Sequence, residues 1–207
     1  MLVKICGITS PRDAEAAERA GADAIGLMFV SESARYIDTD RAREIAGAVG
    51  PSVRTVGVFR NAPLERVLDA AAELRLDAVQ LHGDEDDAYL ARVRASLPVI
   101  RALSFHPGLG RTRVEAIEAD AVLLDGLVPG SGESFDWRLA SELRGFSRLV
   151  LAGGLHPGNV AAGIEALDPY GVDVSSGVES SQGVKDHDLL RKFVQAARPG
   201  SRKSTSR

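Results

Sequence analysis

The sequence predicts a single-domain α/β protein, a closed (β/α)8 barrel, on three observations. Short apolar runs recur eight times, helical patterns fill the gaps, and the first strand-to-helix turn lacks the glycine-rich fingerprint of a dinucleotide-binding open sheet. With Val3, Ala24, Val53, Ala78, Val99, Ala121, Leu149 and Val172 as markers, the successive gaps are 21, 29, 25, 21, 22, 28 and 23 residues. Each gap suits a strand, a helix and two short loops. Three runs share one opening: Ala22-Asp23-Ala24-Ile25, Leu76-Asp77-Ala78-Val79 and Ala119-Asp120-Ala121-Val122. At 207 residues the chain is small for this barrel, so its loops must be short.

The elements follow in order. Leu2-Val3-Lys4-Ile5-Cys6 is the first strand, and Ser10-Pro11 then offers an N-cap with proline at the first helical position. Ala14, Ala17 and Ala20 continue that helix. After the third strand, Pro63 opens a helix whose apolar face is Leu64, Val67, Leu68 and Ala71. Asp84-Glu85-Asp86-Asp87 caps the next helix, which carries Tyr89, Leu90 and Val93. The fifth helix has the thinnest pattern, Val114 and Ile117. Trp137 is a packing anchor at the start of the sixth, Pro157 starts the seventh, and Val184-Lys185-Asp186 starts the eighth. Residues 1–198 form the barrel domain, and the small, polar, basic segment 199–207 is expected to be a disordered tail.

Composition narrows the function. The chain is 44% apolar and 26% charged with a net charge of −4, an ordinary globular profile that gives no reason to expect nucleic acid. No apolar run reaches membrane-spanning length, and no secretory leader is visible at the N-terminus. One cysteine excludes an internal disulfide and fits a reducing cytoplasm.

Strand parity then locates a site. Aligning the repeats puts Gly26, Gln80 and Leu123 in one register and Met28, His82 and Asp125 two residues on, towards the C-terminal end. Helices cover the outside, so polar strand residues are expected to face the lumen: Lys4, Cys6, Gln80, His82, Arg101, Asp125, Asp173 and Ser175. Barrel active sites lie at the C-terminal mouth, where the later members of this set emerge.

Two glycine-bearing loops leave that mouth. Ala152-Gly153-Gly154-Leu155 follows the seventh run and Ser175-Ser176-Gly177-Val178 the eighth, the two places where such barrels commonly seat a phosphate. Glycines that only make tight turns are the alternative. Residues 126–135, with Gly130-Ser131-Gly132, form a candidate lid.

Cys6 and Asp125 form a candidate base and acid. The thiol is either a small buried hydrophobe or a reactive group; as a base near neutrality it needs a pKa below about 8.5, which Lys4 one layer deeper favours. Apolar walls such as Leu123 and Leu124 favour the proton-bearing form of a carboxyl. Arg35, on the loop after the second strand, suits a substrate carboxylate, and equally a solvated surface position. His106, His156 and His187 share no metal-ligand spacing, so no metal is expected. His82 either touches substrate or fills the lumen beside Gln80.

Read together, these residues resemble the phosphoribosylanthranilate isomerase family, over essentially the whole chain before the tail. The most specific stretch is Lys4-Ile5-Cys6-Gly7-Ile8-Thr9. Arg35-Tyr36, Val79-Gln80-Leu81-His82-Gly83, Leu123-Leu124-Asp125, Phe135-Asp136-Trp137, Ala152-Gly153-Gly154-Leu155 and Asp173-Val174-Ser175-Ser176-Gly177-Val178-Glu179 reinforce it. The resemblance implies a (β/α)8 TIM barrel of tryptophan biosynthesis that performs a cofactor-free Amadori rearrangement. It implies Asp125 as acid, Cys6 as base, Arg35 on the anthranilate carboxylate and Asp173 near ribose hydroxyls. Gly153, Gly154, Ser175, Ser176 and Gly177 would surround the phosphate. The expected partner is a small phosphorylated substrate, with neither nucleic acid nor membrane, and the assembly a monomer or homodimer. Two stretches depart from the family pattern: 130–134, shorter than usual, and Ser33-Ala34-Arg35, where Ser-Pro-Arg is frequent. The related histidine-pathway isomerase carries an aspartate at the base position, and Cys6 argues against it.

Overall fold

The computed structural model describes residues 1–126 and 134–198. Eight parallel strands close on themselves in sequence order. They are β1 (Leu2–Cys6), β2 (Ala24–Met28), β3 (Arg54–Phe59), β4 (Ala78–Leu81), β5 (Val99–Ser104), β6 (Ala121–Asp125), β7 (Leu149–Leu151) and β8 (Gly171–Val174). Closure sets Lys4 opposite both Ala24 and Asp173. Every predicted strand is present, and the whole is a TIM barrel.

The repeated Asp has a structural explanation. Oδ2 of Asp23, Asp77 and Asp120 accepts the backbone N–H of Val3, Thr55 and Val99 at 2.6, 2.7 and 2.9 Å. Each carboxylate thus satisfies an amide at the start of the neighbouring strand, at the end of the barrel away from the mouth.

Local chemistry sets the helices. Ser10 accepts from the Asp13 amide to begin α1 (Pro11–Ala20), as predicted, and Asp38 caps α2 (Thr39–Gly47). Pro63 precedes α3 (Leu64–Leu74), and Asp86 caps α4 (Asp87–Arg94) by accepting from the Tyr89 amide. The sparse fifth pattern yields only the short α5 (Arg111–Glu115). Trp137 opens a 3-10 helix to Leu143 rather than an α-helix, broken by non-helical backbone at Ala140. α6 (Val160–Leu167) starts three residues after Pro157, because Asn159 Oδ1 accepts the His156 amide and holds 156–159 as a turn.

The largest departure lies before the last helix. Val184–Lys185 is a strand, β10, antiparallel to β9 (Glu179–Ser181), and only at Asp186 does a cap start α7 (His187–Ala197). The tail 199–207 and the core of the candidate lid, 127–133, lie outside the described residues.

Strand parity partitions the core. Val3, Ile5, Ile25, Leu27, Val79, Leu81, Val122, Leu124, Val172 and Val174 pack outward beneath the helices. Inside, Ala24, Val56 and Ala78 meet Ile100, and Ala102, Leu123, Val150 and Ala152 form a second cluster. Ile100 and Ala102 therefore give Arg101 the opposite parity, against the sequence expectation. Its guanidinium instead pairs with Glu85 on the loop after β4 at 2.6 Å, reaching the cleft from the rim.

Candidate active site

The polar lumen residues assemble beneath a cleft of about 740 Å³ at the C-terminal ends of the strands. Cys6, Arg35, His82, Asp125, Gly153, Gly154, Asp173, Ser175 and Ser176 all line it. The cysteine and the aspartate, from β1 and β6, thus open into one volume. Gly177 does not line the cleft: it packs against the Leu155 backbone and turns the loop.

Below the mouth runs a hydrogen-bonded network. Lys4 is 1% exposed, and its Nζ donates to Asp173 Oδ1 at 2.8 Å and to Gln80 Oε1 at 2.9 Å. An ammonium only donates, so this contact fixes the Gln80 amide with Nε2 towards His82 Nδ1, 3.3 Å away. Nδ1 must then accept, and the neutral ring carries its hydrogen on Nε2. That atom is buried without a hydrogen-bond partner among the described residues, 3.4 Å from Asp125 Oδ2. The other oxygen, Oδ1, accepts the Gly126 amide at 2.8 Å. His82 therefore stands between the lumen network and the candidate acid.

The thiol sits in a contested field. Burial pushes the Cys6 pKa up, Lys4 pulls it down, Asp173 pushes up and Lys185 pulls down, with a net rise. The expected thiolate-favouring shift is thus corrected: the desolvation of a group 4% exposed outweighs two lysines. Burial also works against the Lys4 ammonium, but Asp173 and then Cys6 outweigh it and raise its pKa to about 12. Gly26 makes room for the sulfur, since a Cβ there would lie 2.7 Å from Sγ.

The loops after β7 and β8 present backbone and hydroxyl. Gly153 takes a φ of +77°, and its packing against Gly126 leaves no room for a side chain. Ser175 Oγ is buried without a hydrogen-bond partner among the described residues, a polar atom in the cleft lining that can still donate or accept. Among those residues no cluster of histidine, cysteine and carboxylates fits a metal ion, and the Asp84–Asp87 run serves as cap and rim.

Two residues escaped the sequence reading. Glu179, on β9, grips Arg35 through Oε1 to Nε at 2.7 Å and Oε2 to Nη2 at 2.8 Å. Lys185, on β10, donates to the same Oε1 at 2.8 Å and to the Ser175 carbonyl at 3.1 Å. The only signal was that Glu179 closes the Asp173-to-Glu179 stretch.

Known proteins resemble this chain in sequence and in fold. The sequence pattern of the family described as N-(5'phosphoribosyl)anthranilate (PRA) isomerase matches residues 3–196. The N-(5'-phosphoribosyl)anthranilate isomerase of Rubrobacter xylanophilus is 50% identical over 202 residues, 95% of this chain and 98% of that protein. A crystal structure of phosphoribosyl anthranilate isomerase from Thermus thermophilus superposes with a TM-score of 0.89 at 43% identity, covering 95% of this chain and 98% of the other. Another such isomerase, in complex with reduced 1-(o-carboxyphenylamino)-1-deoxyribulose 5-phosphate, gives 0.84 at 38% identity, over 96% of this chain and all of the other. With family pattern, full-length sequence similarity and fold in agreement, the chain belongs to the N-(5'-phosphoribosyl)anthranilate isomerase family.

Proposed function

We propose that the protein converts N-(5'-phosphoribosyl)anthranilate into 1-(2-carboxyphenylamino)-1-deoxyribulose 5-phosphate, with Asp125 as acid and Cys6 as base. The observation that carries the reading is the opening of both groups, from β1 and β6, into the one cleft whose rim holds the unpartnered Ser175 hydroxyl.

Asp125 protonates the furanose ring oxygen as the C1–O bond breaks, and the anthranilate nitrogen lone pair closes an iminium. The cation acidifies the neighbouring C2, so a thiolate suffices to remove its proton. The C2–H electrons form the C1–C2 double bond of an enolamine while the C1–N double-bond electrons return to nitrogen. Tautomerisation then moves the enol proton to C1, leaving a ketone at C2. C1 is reduced and C2 oxidised, an intramolecular redox reaction that balances without an external electron carrier. Gly153, Gly154, Ser175 and Ser176, with Gly177 shaping the turn, would hold the phosphate. Arg35 would take the carboxylate, and Asp173 and His82 would face the sugar. The single cysteine supports a reducing cytoplasm, and the net charge of −4 supports a small-molecule rather than a nucleic-acid partner. No helix among the described residues is long and apolar enough to cross a membrane. We read the assembly as a monomer or homodimer.

Mixing the protein with anthranilate-linked phosphoribose should extinguish the anthranilate fluorescence. Cys6→Ala and Asp125→Asn should each abolish that turnover while still binding a product analogue by calorimetry. Near-parental rates in either variant would remove that residue from its role.

A further inference from the structure

Arg35, Glu179 and Lys185 form a cluster whose charges do not cancel. The guanidinium is 13% exposed, the carboxylate 5% and the ammonium fully buried. Two cations share one carboxylate, so one positive charge remains. Leaving a charge so poorly solvated is costly unless an anion completes it. Burial and the partners act on both groups. Burial pulls the Lys185 ammonium below its ordinary value despite Glu179. Burial works against the Glu179 carboxylate, but its two cationic partners hold it below the usual range.

The geometry says where the anion goes. Glu179 occupies one edge of the guanidinium, Nε and Nη2. The end edge, formed by Nη1 and the second Nη2 hydrogen, keeps the fork spacing of a second bidentate contact, and Arg35 lines the cleft. Without Lys185 the Arg35–Glu179 pair would be neutral, and that edge would meet an incoming carboxylate with little net attraction. Lys185 does not itself line the cleft: its Nζ is fully buried and donates to Glu179 and the Ser175 carbonyl.

We propose that Lys185 is a positioning residue for substrate selection: through Glu179 it leaves Arg35 with one net positive charge, which sets the preference for a ligand bearing an aryl carboxylate. The β9–β10 hairpin is then the device that carries this charge to the mouth. The proposal rests on the reading that Arg35 receives the substrate carboxylate, and its test separates the two.

Two ligands are titrated by calorimetry: the reduced product, with its carboxyphenyl group, and the same phosphorylated amine with a plain phenyl group. The parent protein should prefer the carboxylated ligand. Lys185→Met should lower that preference about tenfold while leaving the phenyl ligand within about threefold. Lys185→Arg should restore it. Glu179→Gln, which leaves two unneutralised cations, should raise the preference, a change of opposite sign that loss of structure cannot produce. Equal weakening for both ligands, a fall in preference in both Lys185→Met and Glu179→Gln, or an unchanged preference in Lys185→Met would each overturn the proposal. Should Lys185→Met not fold, the sign of the Glu179→Gln effect decides. A parent without any preference would overturn the role of Arg35, and this inference with it. A parental preference that Arg35→Ala abolishes but Lys185→Met keeps overturns the inference alone.

Discussion

Replacing Lys4 with methionine removes the cation from the centre of the lumen while nearly preserving its shape. The ammonium is 1% exposed and bonded to Asp173 at 2.8 Å and Gln80 at 2.9 Å. Its loss strands a carboxylate whose side chain is 10% exposed, together with the Gln80 carbonyl oxygen. Breaking a buried pair from one side costs about 3–5 kcal/mol. For a domain of this size about 2–4 °C of Tm is lost per kcal/mol, so Lys4→Met should melt about 6–20 °C below the parent. Lys4→Met/Asp173→Asn removes the stranded charge and should recover about 1–3 kcal/mol of coupling. The pH dependence carries a sign. The folded protein holds the Lys4 proton up to about 12. The pair therefore contributes fully below the unfolded value of about 10.4 and is lost as pH rises through the folded one. The parent–variant gap should accordingly be flat from pH 7 to 9. Thermal melts followed by circular dichroism measure all of this. A Tm within about 2 °C of the parent, or no recovery in the double variant, would refute the claim that this ion pair carries stability.

Two further outcomes are expected. Because burial raises the Cys6 pKa, the thiolate is the minor form at neutrality, and alkylation of Cys6 by iodoacetamide should speed up with pH from 6 to 8.5 with a logarithmic slope of about one; a plateau beginning below pH 7 would contradict a raised thiol. Gly26→Ala places a Cβ 2.7 Å from the sulfur and should cost about 1–3 kcal/mol together with most of the turnover, read from melts and initial rates. A variant with parental kinetics would show that the sulfur has space to move.

The barrel was legible because its signal is local and repeated. Each strand is a run of apolar residues bounded by turns, and alternation along the strand predicted the lumen positions of Lys4, Gln80 and Asp173 before their partners were known. Alternation failed at Arg101 because the sequence argument used polarity to assign the face, whereas a long side chain on the outer parity reaches the rim and pairs with Glu85. Val184–Lys185 was misread because Asp186 is a strong cap, and nothing short-range distinguishes a strand just before a cap from the helix's own first turn. Glu179 stood beyond reach for another reason. It meets Arg35 across 144 residues, and one sequence contains no pairing information at that separation. The thiol's pKa was expected to fall because the cation beneath it was visible in sequence, while the depth of its burial was not.

The layer below the mouth gives the proposed base and the proposed acid different surroundings. Each functional side chain stands two residues beyond a lumen residue: Cys6 above Lys4, His82 above Gln80, Ser175 above Asp173, Asp125 above Leu123. The first three lower positions form the Lys4–Gln80–Asp173 network, whereas Leu123 belongs to an apolar cluster with Ala102, Val150 and Ala152. The floor is therefore polar and cationic under the thiol, and apolar under the carboxyl. A thiolate, once formed, has an ammonium to answer it. Asp125 meets instead a backbone amide on one oxygen and, near the other, the His82 nitrogen whose hydrogen Gln80 fixes in place. The same glutamine accepts from Lys4, so one amide meets both the buried ammonium and the ring that stands beside Asp125. Parity supplies the spacing, and the difference between the two lower layers supplies the division of labour.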